Sequence, residues 1–460
     1  MVPQPHAAQS HRFPAAALVI CYGLVVLAAL TIRPLWLDEV IQLTGTTSPS
    51  VESMIRWVPD VNVGGVPLGF LTQRPFVLAG GPSAFWARLP SALFSVASCW
   101  LLVLLCSELK VPRSLTTLAA GIFMIVPAQF RYATEARPYS EALWFTLLSM
   151  VAIVKWANLP SLSMLSLCLL ATVAGLYTQP YMALAVCGWC AWSILSGFRR
   201  GDWLRAATPA ACLCISSLLF LPWYLWSSPQ WDANIQRSEL PKFHWTGGLG
   251  LDVFKGISGG SFLCSAAFLV LVLTGVWCSS VAIRGLLLCS ASFVIVGALA
   301  VDSWRDYFFA SRQFLFALPA LSILAAIGLE AAWRRNKLMG GAIACAFSIA
   351  ALTNNVTTQM NAKEDWPAAA RALAQVSRGG YCVQMAESHG AGVNLYSVFV
   401  PRLESGVCGN LRTQSRVALV SNLATQAKTL STSEEELRRL GFALRKTIAV
   451  GGTTIEMEHR

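Results

Sequence analysis

Residues 15–40 read AAALVICYGLVVLAALTIRPLWLDEV, and the fold follows from the order of those letters. Ala15 to Leu30 carry no charge and approach the length at which a helix crosses the ~30 Å core of a bilayer. Pro34 disfavours helical backbone at Arg33, so the helix is expected to stop there. No small-x-small site precedes that break, and the run is therefore expected to persist as an uncleaved signal anchor. Two adjacent carboxylates, Asp38 and Glu39, then stand beside Trp36. Ionisable groups at the membrane boundary are costly and tend to be functional.

Outward from this stretch the apolar run recurs. Further spans are expected at Ala84–Leu105, Leu115–Phe130, Tyr139–Val154, Leu162–Tyr177, Tyr181–Leu195 and Ala206–Trp226. Phe262–Val281, Leu286–Val301, Phe314–Ala332 and Leu338–Leu352 complete about eleven. The composition agrees: 55% of the 460 residues are hydrophobic and only 12% are charged, where a soluble domain carries roughly 25% charged residues. The fold class is therefore an α-helical polytopic membrane protein.

The net charge of +11 would suggest nucleic acid in a soluble protein. Here the basic residues fall in short connections: Lys110 and Arg113, Lys155, Arg199 to Arg205, Arg284, and Arg334 to Lys337. Cytoplasmic loops of membrane proteins collect Lys and Arg. No nucleic-acid partner is expected, and the N-terminus is placed in the cytoplasm of a cell with the chain in the plasma (inner) membrane. An odd number of spans puts the C-terminal tail outside.

From about residue 357 the texture changes. Asp365-Trp366-Pro367 opens an amphipathic helix, and strand-like runs follow at Tyr381–Met385, Val417–Val420, Ala443–Val450 and Thr453–Glu458, with a charged helix at Ser433–Leu440. This divides the chain into a membrane module, 1–356, and a small extracytoplasmic α/β domain, 357–460. Of fourteen cysteines, Cys382 and Cys408 lie in that domain, where an oxidising compartment would pair them. Most of the others sit in apolar runs as packing residues. No metal-ligand spacing is present, and neither metal nor other cofactor is expected.

Three polar clusters carry the candidate chemistry. The first is Asp38-Glu39 in a long connection, 33–83, that also holds a short amphipathic helix near 48–58, with Ser48 as its expected cap. The second is Gln129-Phe130-Arg131-Tyr132-Ala133-Thr134-Glu135-Ala136-Arg137-Pro138-Tyr139, whose arginines offer planar donors suited to phosphate oxygens. The third runs from Asp302 through Arg305, Asp306 and Tyr307 to Arg312 and Gln313. All three fall on the outer side. A transporter site is expected near the bilayer midplane, yet the span interiors hold almost no charge. Chemistry at the outer interface is favoured over the competing reading, a transporter or flippase of polyprenyl-linked glycans.

Asp38-Glu39, Pro67-Leu68, Gly81-Pro82-Ser83, Arg88-Leu89-Pro90-Ser91, Glu135-Ala136-Arg137-Pro138-Tyr139 and Arg312 with Leu318-Pro319 occur in this order. Together they resemble the GT-C membrane glycosyltransferases, in particular the bacterial branch near protein O-mannosyltransferases, aminoarabinose transferases and lipopolysaccharide-core galacturonosyltransferases. The resemblance implies a polyprenyl-phosphate-linked sugar as donor and an inverting transfer to a hydroxyl of an unknown glycan, lipid or protein. It implies Asp38 as catalytic base with Glu39 beside it. Glu135, Arg137, Tyr139, Arg131, Arg88 and Gln179 would bind donor or acceptor, and Arg312 and Arg305 the lipid phosphate. Gly65-Val66 stands before Pro67 where the family often has prolines, and Gln179 stands where it often has His.

Overall fold

The computed structural model describes residues 13–61, 64–237, 243–244, 247–258, 260–305, 310–362, 364–386, 393–400, 403–422, 425 and 427–460. Among them the chain is helical with one small sheet. Seven helices are long and apolar enough to cross a membrane. Among the described residues one bent pair, 249–258 with 262–278, makes an eighth when taken as one span, and three shorter apolar helices, 15–29, 113–125 and 162–176, fall within other expected runs. The chain is a multi-pass membrane protein.

The first span is α1, Phe13–Ala29. The connection after it contains three helices: α2, Leu37–Thr46; α3, Val51–Val61; and α4, Leu68–Gly80. Only α3 was legible as a helix in advance. Its cap is Ser50, whose hydroxyl accepts from the Ser53 N–H at 3.1 Å, and not Ser48. Its buried residues Met54 and Val58 pack on Phe70 of α4.

The second span, α5, runs Ala84–Glu108. The third departs from expectation. It is broken into α6, Arg113–Ile125, and α7, Pro127–Ala133. Pro127 has no N–H to donate, and Val126 before it takes an extended conformation. The Ile125 carbonyl at the break instead accepts from the Asn355 side chain at 3.0 Å.

The remaining spans are α8, Tyr139–Asn158; α9, Leu162–Leu176; α10, Met182–Arg200; and α11, Trp203–Arg237, which extends well past the bilayer-length run. A short α12, Leu249–Ser258, precedes α13, Phe262–Cys278, and α14, Val281–Trp304. A 3₁₀ turn, Ser311–Ala317, leads into α15, Leu318–Arg335, and α16, Lys337–Met360, closes the bundle. A Cβ on Gly275 of α13 would lie 1.8 Å from the Leu324 carbonyl oxygen of α15, and one on Gly328 would lie 2.0 Å from that of Leu271. Bare glycine on both sides lets these helices touch backbone to backbone, the usual basis of tight packing where lipid removes the hydrophobic drive.

Beyond the bundle come α17, Trp366–Arg378; β1, Cys382–Met385; α18, Val393–Ser397; β2, Arg416–Asn422; α19, Ala427–Arg439; β3, Ala443–Val450; and β4, Thr453–His459. The sheet order is β1-β2-β4-β3, parallel between β1 and β2 and antiparallel elsewhere. Cys382 and Cys408 form a disulfide with a Cα–Cα distance of 4.9 Å. This unit shares one apolar core with the first connection, the start of α5 and the turn before α8: Leu35, Val40, Leu43, Val77, Ala87 and Ala136 pack with Trp366, Leu373, Leu395 and Tyr396.

Candidate functional site

The helix α2 brings Asp38 and Glu39 to opposite duties, because neighbours on a helix do not share a face. Glu39 points inward and is fully buried. Arg88 of α5, also fully buried, forks onto it: Nε donates to Oε1 and Nη2 to Oε2, each at 2.7 Å. The remaining Arg88 hydrogens go to the carbonyls of Leu30, Arg33 and Pro34. Glu39 also accepts from the N–H groups of Trp36 at 3.2 Å and Ala136 at 2.7 Å. Such a pair leaves neither charge uncompensated, which is the condition for burying both. Glu39, anticipated as a catalytic carboxylate, and Arg88, anticipated as a ligand-binding guanidinium, are thus found in a buried pair with each other. Their hydrogen-bonding capacity is spent tying α1, α2, α5 and residue 136 together.

Asp38 faces the other way and is partly exposed. Its Oδ2 accepts from Arg312 Nη1 at 3.0 Å and lies 3.9 Å from Arg137 Nη2, while its backbone carbonyl accepts from Arg137 Nη1 at 3.3 Å. The guanidiniums of Arg137 and Arg312 both lie over the Tyr139 ring, 5.7 and 5.8 Å from its centroid. Each such contact favours the cation electrostatically.

Arg137, Tyr139 and Arg312 border a cavity of about 200 Å³; Asp38 is not part of its lining and reaches it through its contacts with the two arginines. Arg137, Tyr139, Gln179, Arg305 and Arg312 line it, joined by Tyr181, Tyr224, Trp231, Trp304 and Gln313. Arg305 is paired with Asp232 of α11. Under the wall, the buried Asp302 carboxylate accepts from Tyr181 at 2.7 Å and from Gln313 at 3.0 Å, fixing both side chains. The cavity is thus an aromatic and apolar chamber with three guanidiniums on its rim, suited to an anion attached to something less polar.

Glu135 and Arg131 do not line it. Glu135 is buried and accepts from Arg33 at 3.1 Å and Arg131 at 2.8 Å. Burial alone would raise its carboxyl, but the Arg131 and Arg33 guanidiniums beside it hold it below the usual carboxylate range. Arg131 then stacks against Trp36 and Tyr132. Together they lock the turn 134–138 and so the position of Arg137. The turn is held further by Ser91, whose hydroxyl donates to the Arg137 carbonyl at 3.0 Å.

Of the residues anticipated as ligand-facing, the structure gathers Arg137, Tyr139, Gln179, Arg305 and Arg312 at the cavity, with Asp38 against two of these arginines and outside the lining. It sets Glu39, Arg88, Glu135 and Arg131 behind them. Asp306 and Tyr307 lie outside the described residues. Arg33, Asp232 and Trp231 were missed as contributors. Arg33 reads as a boundary marker before Pro34, and Trp231 as one more aromatic, with no signal in spacing to single them out. Among the described residues no three His, Cys, Asp or Glu side chains gather as a metal-ligand set.

No protein-family model and no curated protein sequence matches the chain. Solved structures do. ArnT from Cupriavidus metallidurans bound to undecaprenyl phosphate is similar with a TM-score of 0.64 at 13% identity, over 96% of this chain and 97% of that one. The same protein in the apo state gives 0.61 at the same identity and coverage. The archaeal oligosaccharyltransferase AglB from Archaeoglobus fulgidus, in complex with an inhibitory peptide and a dolichol-phosphate, gives 0.52 at 10% identity, over 89% of this chain and 69% of that one. Correspondence over nearly the whole chain at so low an identity is a statement about fold: this chain shares its fold with ArnT and with AglB.

Proposed function

We propose that the protein is an inverting glycosyltransferase that moves a monosaccharide from a polyprenyl-phosphate donor to a hydroxyl acceptor. The observation that carries this reading is the convergence of Asp38 on Arg137 and Arg312, two guanidiniums that line the cavity. The fold neighbours bound to undecaprenyl phosphate and to a dolichol-phosphate support the class of donor.

In this reading the donor phosphate sits against Arg137 and Arg312, with Arg305 beside them, and the sugar occupies the chamber toward Tyr181, Gln179 and Gln313. The two guanidiniums that hold Asp38 Oδ2 are the ones a phosphate would draw upon. Donor binding therefore competes with Asp38 for them and turns the carboxylate toward the acceptor. The acceptor oxygen attacks the anomeric carbon as its proton passes to Asp38. The bond from that carbon to the phosphate oxygen breaks, and the electron pair leaves with the lipid phosphate. Positioned base catalysis contributes typically about 10²–10⁴-fold. Fixed guanidiniums stabilise the charge that grows on the leaving oxygen. This scheme assigns no step to a metal ion.

The same reading places the site, and the unit 357–460, on the extracytoplasmic side of the plasma membrane, with the N-terminus in the cytoplasm. The acceptor belongs to a glycan, a lipid or a protein. The test is purified protein in lipid with a panel of radiolabelled polyprenyl-phosphate sugars and a membrane extract that supplies acceptors. Loss of label from one donor, dependent on the extract and unaffected by EDTA, is expected. Retention of label on every donor, with donor moved across the bilayer, would replace the transferase with a flippase.

A further inference from the structure

The first turn of α2 has a defect that its own segment does not repair. Helix N-termini carry backbone N–H groups with no partner inside the helix, and a Ser, Thr, Asp or Asn at the cap normally accepts one of them. Here the cap is Trp36, which makes no such bond. The Glu39 side chain reaches back to the Trp36 N–H, leaving the N–H of Leu37 to be satisfied from elsewhere. It is satisfied from a point 327 residues downstream: Leu37 N–H donates to Glu364 Oε2 at 2.7 Å. That oxygen also accepts from the Trp366 indole N–H at 2.7 Å, which fixes the carboxylate in place.

Glu364 lies in the short link between α16 and α17. The link is braced at both ends. Before it, Gln359 of α16 donates to Thr134 Oγ1 at 2.7 Å, next to the turn that carries Arg137. After it, Asp365 caps α17 by accepting from Ala368 N–H, and its own N–H donates to the Gly451 carbonyl of the β3–β4 hairpin. Leu37 is the residue immediately before Asp38. A carboxylate at the positive end of α2 is also favoured by the helix dipole.

We propose that Glu364 is a positioning residue for Asp38, and that the 357–460 unit is thereby a clamp on the catalytic helix and not an appended module. The clamp rests on the transferase reading for its effect on rate, while its structural half stands apart from it. Glu364→Gln keeps an acceptor oxygen at the same reach; Glu364→Ala removes it. The experiment follows hydrogen exchange over residues 37–46 of the full-length protein in lipid, alongside donor discharge and donor binding.

In Glu364→Ala, exchange over 37–46 is expected to rise about tenfold. kcat is expected to fall about tenfold to a hundredfold with donor affinity little changed, as a displaced but intact base would give. Glu364→Gln is expected to stay near wild type in all three. Trp366→Phe, which removes the second donor to Glu364 while keeping a ring in the core, is expected to shift exchange in the same direction and serves where Glu364→Ala does not fold. Wild-type exchange in Glu364→Ala, or a loss in Glu364→Gln as deep as in Glu364→Ala, overturns the proposal. If wild type discharges no donor, the transferase reading fails and the exchange result alone decides the clamp.

Discussion

Asp38 and Glu39 are chemically alike and adjacent, and their surroundings give them opposite roles. Glu39 is enclosed by Arg88 and two backbone N–H groups, whereas Asp38 meets Arg312 and Arg137 beside the cavity. Removing Arg88 would leave a buried carboxylate without its cation, at a cost of roughly 3–5 kcal/mol. Arg88→Ala is therefore expected to lower the detergent-solubilised melting temperature sharply or to prevent folding. Arg312→Ala, at a partly exposed group, is expected to fold normally and to weaken donor binding by about tenfold to a hundredfold, the range of a charge-assisted bond. Glu135 gives a pH signature. Its folded carboxyl lies below the ordinary value, so its contribution to stability is present above about pH 4.3 and is lost as pH falls through the lower, folded value. Acid unfolding followed by tryptophan fluorescence should show this limb in wild type. In Glu135→Gln it should be flattened, with lower stability at neutral pH. The sequence made the carboxylate pair visible but not which member meets Arg137 and Arg312, because that depends on a helix, α2, too short and too weakly patterned to be read. The meeting of Asp38 with residues 99 and 274 positions away was likewise invisible to spacing; only the family resemblance pointed to it.

At the level of elements, apolar runs were readable because membrane spans need uninterrupted hydrophobic length. The strands β3 and β4 were readable from alternation and turn residues. The break between α6 and α7 was not read, although Pro127 marks it, since hydropathy runs straight through a proline. Asn355 is the compensation, capping the Ile125 carbonyl from α16. Asn355→Leu is expected to cost about 1–3 kcal/mol by leaving that group unpaired, measurable as a lowered unfolding midpoint. The α13–α15 contact makes a sharper demand. Gly275→Ala puts a methyl against the Leu324 carbonyl of the facing helix, so the two helices must separate. Reduced yield of folded protein is expected, whereas Gly121→Ala, with open space around its Cβ position, should be tolerated.

On the scale of the whole molecule, the sequence suggested two modules in series, and the structure joins them through a common core and the Leu37–Glu364 bond. Sequence could not show this, since the contact pairs a loop before residue 40 with one after residue 360. The disulfide Cys382–Cys408 closes a 26-residue separation within the second unit, worth about 3 kcal/mol. Thiol alkylation of membranes without reductant should leave both cysteines unlabelled, as expected for an oxidising compartment; labelling of both would put the unit in the cytoplasm. The central claim is that Asp38 takes the acceptor proton at a site built for a lipid phosphate. The measurement that tests it most directly is the single-turnover rate of donor discharge by Asp38→Asn, with donor affinity determined on the same preparation. The account predicts a rate lower by about 10²–10⁴ with donor affinity changed by no more than severalfold. Discharge by Asp38→Asn at the wild-type rate would contradict it.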